Sequence, residues 1–300
     1  MNPAFHQIAV IFIGIAAGFV CRKLEVLTED STTTLSNIVV KVILPFYLFN
    51  AIVSSSSGIG GGMVLKAILL STAMFLLSGL VALIIVPLLR PTADDKGVYL
   101  FETMCGNVTY IGIPVCAAVL GGDAAFYASL LNIPYNLLCF SLGIFLLSGK
   151  ASFRKILNPA FLAGLLAAVL YVLKVSVPTV ITDACAFLSQ ATSPCAMLVI
   201  GSVLGAVPLK NLFSEWMAIP YVILRLLGIP ALVWLLTGLL GNIDPVLRGV
   251  LVLMAAMPAA TNSTMLCTIY GGNRELSAKL IFLSTALSIL SIPLWATILG

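Results

Sequence analysis

Charge is scarce in this chain, and histidine is almost missing. Only 9% of the 300 residues are charged, 61% are hydrophobic, and His6 is the one histidine. A soluble domain carries about 25% charged residues, so there is too little polar surface here to dissolve the chain in water. The seven cysteines include no C-x-x-C pair and fall mostly within apolar runs, where they pack as small hydrophobes rather than as a disulfide framework. Neither G-x-S-x-G nor H-E-x-x-H occurs, and no carboxylates or histidines cluster. General acid–base chemistry would be short of groups, so no enzyme, metal or cofactor is expected. A Walker loop and a soluble domain are missing, which excludes an ATP-driven pump. A pore would need repeated selectivity loops or charged rings. The alternating ten-residue segments of a membrane β-barrel are absent. The net charge of +4 is spread over short loops rather than along a stripe, so nucleic acid is not a partner. No basic residue precedes the first apolar run, which is expected to stay as a helix rather than be removed as a signal.

What is present is a series of apolar runs of membrane-crossing length. Ten spans are expected, at about 4–21, 36–56, 65–89, 97–120, 124–148, 159–175, 184–207, 212–240, 246–269 and 276–299. With the N-terminus outside, the inner loops hold Arg22, Lys23, Arg90, Lys96, Lys150, Arg154, Lys155, Lys210, Arg274 and Lys279. The outer loops hold only Lys66, Lys174 and Arg248. The excess of basic residues in cytoplasmic loops then puts both termini outside the cytoplasm, in a multi-pass protein of the cell membrane. His6 and the bilayer surface would meet at the outer end of the first span.

Four features recur in the same order in the two halves. Asn2-Pro-Ala-Phe5 recurs as Asn158-Pro-Ala-Phe161, and Pro45 as Pro194. Asn107-Val-Thr109 has a counterpart in Asn262-Ser-Thr264, and Gly121-Gly122-Asp123 in Gly271-Gly272-Asn273. The order implies a duplication: a first five-helix repeat over 1–149, a basic cytoplasmic loop over 150–158, and a second repeat over 159–300. An odd number of spans per copy makes the repeat inverted. Asp123 and Asn273 are expected to cap the helices that follow them.

Two spans carry polar residues that a lipid-spanning helix does not need. One runs from Glu102 to Pro114 (E-T-M-C-G-N-V-T-Y-I-G-I-P), the other from Met254 to Thr264 (M-A-A-M-P-A-A-T-N-S-T). Pro114 cannot donate to Tyr110, nor Pro258 to Met254, so each span is expected to break. Unpaired backbone groups at mid-membrane cost several kcal/mol each (roughly,) unless they face protein, water or a solute. Two half-helix N-termini meeting in one cavity would suit an anion. Asn107 and Asn262 either bind that solute or cap their own helices. Both fit the N-x-S/T glycosylation pattern, which carries no weight within the membrane.

The stretch G-N-V-T-Y-I-G-I-P resembles the first broken helix of the auxin efflux carrier family. A-M-P-A-A-T-N followed by L-S-T-A-L-S-I-L-S-I-P-L-W resembles that family's ninth and tenth helices, and the short central loop matches its bacterial-type members. The resemblance spans the whole chain. It implies an all-α polytopic protein: ten transmembrane helices as two inverted five-helix repeats with broken, crossing helices 4 and 9. It also implies secondary transport of small organic anions: auxin-type indole acids in plants, dicarboxylates such as malate or malonate in bacteria. The expected substrate-binding set is Asn107, Thr109, Tyr110, Pro114, Pro258, Thr261 and Asn262. No cofactor is implied beyond a coupling ion, proton or sodium. The partners are the solute and the bilayer, and a homodimer stays compatible with the sequence although no strong G-x-x-x-G face occurs.

Three charges fall within spans. Glu102 lies about 18 Å from Pro114 on a straight helix, and is either an interfacial carboxylate pairing with Lys96 or a proton carrier. Arg225, mid-way along the eighth span, is either a counter-charge for an anion or paired with Glu102 or with carbonyls. Lys41 either snorkels to the surface or joins them in ion coupling or counter-charge.

Overall fold

The computed structural model describes residues 3–55, 58–121, 123–149, 157–207 and 217–299. Lys150, Arg154 and Lys155 of the central basic loop, Lys210, Asn2 and Gly122 lie outside the described residues. All helices and strands among the described residues are helices, in the order α1 (Pro3–Lys23), α2 (Glu29–Val53), α3 (Gly61–Leu88), α4 (Ala93–Met104), α5 (Val108–Leu120), α6 (Ala124–Ser148), α7 (Pro159–Val172), α8 (Thr179–Ala206), α9 (Ala218–Leu239), α10 (Pro245–Ala255), α11 (Ser263–Tyr270) and α12 (Arg274–Leu299). Seven are long and apolar enough to cross a membrane: α1, α2, α3, α6, α8, α9 and α12. The helix α3 shows why. Leu65, Leu69, Leu76, Leu80 and Leu83 are exposed on its outer side, while Ser71 and Ser78 are buried and donate to the carbonyls of Ala67 and Met74. An outer face this apolar makes no sense in water and suits lipid, and the serines keep to the protein side.

Helices that lipid surrounds gain little from hydrophobic association, so close packing and small residues hold them together. The tightest seam joins α1 to the second half of α8. A Cβ on Gly201 would come within 2.0 Å of the Ile15 carbonyl oxygen, so only glycine lets these backbones touch. The second half of α2 packs on α7 in a matching way. One apolar core lies within α2–α7 and α9–α12, and a smaller one joins α1, α8 and part of α5. The segments at Cys105–Asn107 and 256–262 run between the two.

Proline acts differently from the sequence expectation. Pro45, Pro114 and Pro230 each follow a π turn by two residues, at Val39–Ile43, Val108–Gly112 and Leu224–Gly228. The widened turn moves the surplus carbonyl away from the proline ring and keeps the helix continuous. In α5, Gly112 N–H donates to the Asn107 carbonyl five residues back, at 3.0 Å. Pro114 therefore does not break its span. The break lies earlier, at Cys105–Asn107, where Cys105 is extended (φ −103°, ψ 102°). The other break does contain its proline: the chain leaves helix after Ala255, passes Pro258 and resumes at Ser263. Asn273 caps α12 as expected, its Oδ1 accepting from Leu276 N–H at 3.0 Å. Asp123 stands at the start of α6 but makes no side-chain cap bond.

Candidate functional site

The two breaks touch. Asn107 N–H donates to the Pro258 carbonyl at 2.7 Å, and Gly106 faces Ala259 in an antiparallel bridge. Buried backbone groups must find partners, and here each break supplies the other. Two further groups are met by side chains. Ser284 Oγ accepts from Ala259 N–H at 3.1 Å, and Arg225 Nη1 donates to the Thr103 carbonyl at 2.9 Å, in the last turn of α4. A cation there also offsets the negative end of the helix dipole. The guanidinium lies so close to the break that a Cβ on residue 106 would sit 1.8 Å from Arg225 Nη2. Gly106 thus makes room for the arginine.

A cavity of about 1090 Å³ ends on this crossover. Asn107, Thr109, Tyr110, Thr261 and Asn262 line it near the breaks, Lys41 stands on its wall, and Arg22, Glu29, Asn158 and Arg274 line it toward the loops. Two acid–base pairs at that end are closed: Arg274 with Glu29, and Lys279 with Glu275, each at 2.9 Å. Lys41 is exposed and forms no ion pair among the described residues.

The two asparagines differ. Asn107 caps α5, its Oδ1 accepting from Tyr110 N–H at 3.2 Å, which leaves Nδ2 buried with no partner. Asn262 makes no cap bond, and its Oδ1 is buried with no partner. One thus presents an unused donor and the other an unused acceptor beside the same cavity. The Tyr110 hydroxyl is tied to Ser36 at 2.9 Å.

Six members of the expected set, Asn107, Thr109, Tyr110, Thr261, Asn262 and Lys41, are brought to one cavity. Four are not among its lining residues. Pro114 is buried within α5, and Pro258 contributes its carbonyl to the crossover rather than a surface. Arg225 is 2% exposed and sealed behind the break, bonded to a carbonyl as one of its two sequence readings held. Glu102 is 0% exposed, so it is neither interfacial nor paired with the exposed Lys96. Its Oε1 accepts from Ser263 and Ser277 hydroxyls at 2.5 and 2.6 Å, which ties α4 to α11 and α12.

Sequence reasoning missed Asn132 and Asn136 and gave Asn158 no role in the site. Asn132 Nδ2 donates to Thr109 Oγ1 at 2.9 Å, and Asn158 Nδ2 to Asn136 Oδ1 at 2.9 Å. The signal was available: two asparagines four residues apart in an apolar span share one helix face and are costly in a membrane.

The sequence matches the family model described as "Membrane transport protein" over residues 3–155 and 144–296. It is 27% identical to an "Uncharacterized transporter" of Methanocaldococcus jannaschii over 97% of both chains. A second "Uncharacterized transporter", of Methanothermobacter thermautotrophicus, is 28% identical over 96% of both. A protein of Rhizobium meliloti named "Putative malonate transporter" is 25% identical over 68% of this chain and 67% of its own. With the family model matching nearly end to end, the chain belongs to the membrane transport protein family of auxin efflux carriers.

Proposed function

We propose that the protein is a secondary carrier of small organic anions. The solute's carboxylate binds at the crossover of the two broken segments, and access alternates between the two faces of the cell membrane. The observation that carries this is the contact of two broken segments at the end of a large cavity, with the buried Asn107 Nδ2 unused and the unpaired cation of Lys41 on the wall. Irregular backbone at membrane depth is tolerated where it is buried in protein or lines a cavity, and broken helices at a repeat interface are where carriers bind substrate. The cavity is larger than the ~300–1,000 Å³ of a typical ligand pocket, which leaves room for water around a small anion.

Two inverted five-segment repeats form the frame in this reading: α1–α6 and α7–α12, with α4–α5 and α10–α11 as the broken fourth and ninth spans. The matching seams of α1 on α8 and α7 on α2 support it. Arg22, Arg274 and Lys279 line the cavity on the basic-loop side, so by the positive-inside rule the cavity opens to the cytoplasm and both termini lie outside. Uptake of dicarboxylates, coupled to a proton or sodium, is the second reading; the name of the Rhizobium meliloti relative favours its dicarboxylate part alone, through malonate.

A thermal-shift panel tests the reading. Purified protein is heated with mono- and dicarboxylates, malonate first, with and without sodium at two pH values. A ligand that binds only the folded state raises the melting temperature by mass action, by roughly RT ln([L]/Kd) in free energy. Malonate or another carboxylate is expected to raise it, and neutral analogues are not. A panel in which no anion shifts the melting temperature contradicts the carrier reading.

A further inference from the structure

Thr109, Asn132, Asn136 and Asn158 form one line of hydrogen bonds from the crossover to the loop side of the cavity. Its direction can be deduced from its backbone anchors. At the far end, Phe161 N–H donates to Asn158 Oδ1 at 2.9 Å. A backbone N–H cannot accept, so Asn158 must offer its other side, Nδ2, to Asn136 Oδ1. Asn136 is pinned twice, because its Nδ2 also donates to the Asn132 carbonyl at 2.8 Å, and a carbonyl cannot donate. The same Nδ2 reaches Asn132 Oδ1. Asn132 is then left with Nδ2 to give, and it donates to Thr109 Oγ1.

The line ends on an oxygen that already accepts from Asn132 Nδ2, so its hydrogen cannot point back along the line. The Thr109 hydroxyl hydrogen must go elsewhere. A helical threonine usually sends it to the carbonyl four residues back. Here that residue is Cys105, in the extended break, and the Thr109 hydroxyl donates to no group among the described residues. Thr109 lines the cavity. Two residues away, Asn107 is oriented by the same device: a backbone N–H holds its Oδ1, so its unused atom is a donor.

We infer that Asn132, Asn136 and Asn158 are positioning residues that fix the Thr109 hydroxyl as a donor into the cavity, so that the crossover selects a solute group able only to accept, a carboxylate. This rests on the carrier reading above and adds to it the source of its selectivity. At Asn107 and Thr109 an amide can offer only its one neutral C=O oxygen, whereas a carboxylate brings two charged acceptor oxygens and stronger hydrogen bonds. Leaving buried polar groups unpaired is the strongest means a site has of rejecting a near-isostere.

The test measures binding of malonate and of its neutral diamide, malonamide, to the purified full-length protein, the diamide by competition. Thr109→Val keeps the shape and removes the donor. It is expected to weaken malonate by about tenfold or more, the range for a hydrogen bond to a charged group, and Thr109→Ser is expected to restore it. Asn132→Leu cuts the line and frees the hydroxyl to turn. Malonate is expected to weaken while malonamide does not, so the preference for malonate falls by about three- to tenfold. A residue with a merely structural role would weaken both alike. Equal loss of both ligands in Asn132→Leu, or an unchanged preference, overturns the inference and leaves the carrier reading standing. If Asn132→Leu does not fold, the valine and serine variants at 109 decide: equal preference in both overturns it. Wild type binding neither malonate nor any carboxylate of the panel overturns the carrier reading and this inference together.

Discussion

The two breaks do the same topological work with different means. The first takes three residues, Cys105–Asn107, and contains no proline. Its neighbourhood is held on every side: Arg225 on Thr103, Pro258 on Asn107, and the amide oxygen of Asn107 on its own helix. The second takes seven residues, 256–262, is opened by Pro258, and leaves Asn262 uncapped. Both are held, the second by Ser284 on Ala259 N–H and by Ser263 on Glu102, but only the first ends in a helix whose cap side chain is fixed. A fixed donor pair costs a solute less to engage than one that must be ordered on binding, which is why Asn107 and Thr109 carry more of the proposed recognition than Asn262.

Five substitutions, in four tests, break or sharpen that contrast. The largest effect is expected from Gly106→Ala. The added methyl collides with Arg225 Nη2, and displacing a buried charge from its partner costs about 3–5 kcal/mol. A melting temperature in detergent close to wild type would mean that the first break is not held as described. Arg225→Gln comes next, with a loss of about 1.5–3 kcal/mol for a charge-assisted bond. Because the guanidinium is sealed from the cavity, anionic and neutral solutes are expected to weaken equally; selective loss of anions would move Arg225 into the site.

The third compares the asparagines directly. Asn107→Ala removes a helix cap and is expected to cost about 1 kcal/mol, whereas Asn262→Ala is expected to stay within about 0.5 kcal/mol of wild type. Equal unfolding midpoints would erase the distinction between the arms. The smallest effect is Lys41→Gln: unchanged stability, and malonate binding weaker by up to about fivefold at low salt. No change in affinity would remove Lys41 as a counter-charge.

Much of this was legible in the sequence because lipid is a strict solvent. Apolar runs mark membrane helices, and Asn107, Thr109, Thr261 and Asn262 stood out as polar residues with no reason to be in one. Three things were not legible. Pro114 looked like a break, yet a π turn absorbs it, and nothing local distinguishes the two outcomes. Glu102 and Arg225 were visible as charges, but whether a buried charge faces a cavity or a carbonyl depends on helices far apart in sequence: Glu102 meets Ser263 and Ser277, and Arg225 meets Thr103. The amide line was missed for the same reason, since Thr109, Asn132 and Asn158 come from three separate helices or their caps. Hydrophobic patterning reports depth in the membrane well and direction around a helix less well.

The central claim is that the meeting point of the breaks binds the transported anion. The most direct measurement is uptake of radiolabelled malonate, or whichever carboxylate the thermal-shift panel selects, into proteoliposomes of wild type and Asn107→Ala at matched folded protein. The account predicts that wild type accumulates or exchanges the anion and that the variant, folded with a melting temperature within a few degrees, does not. Transport by Asn107→Ala at the wild-type rate would contradict it.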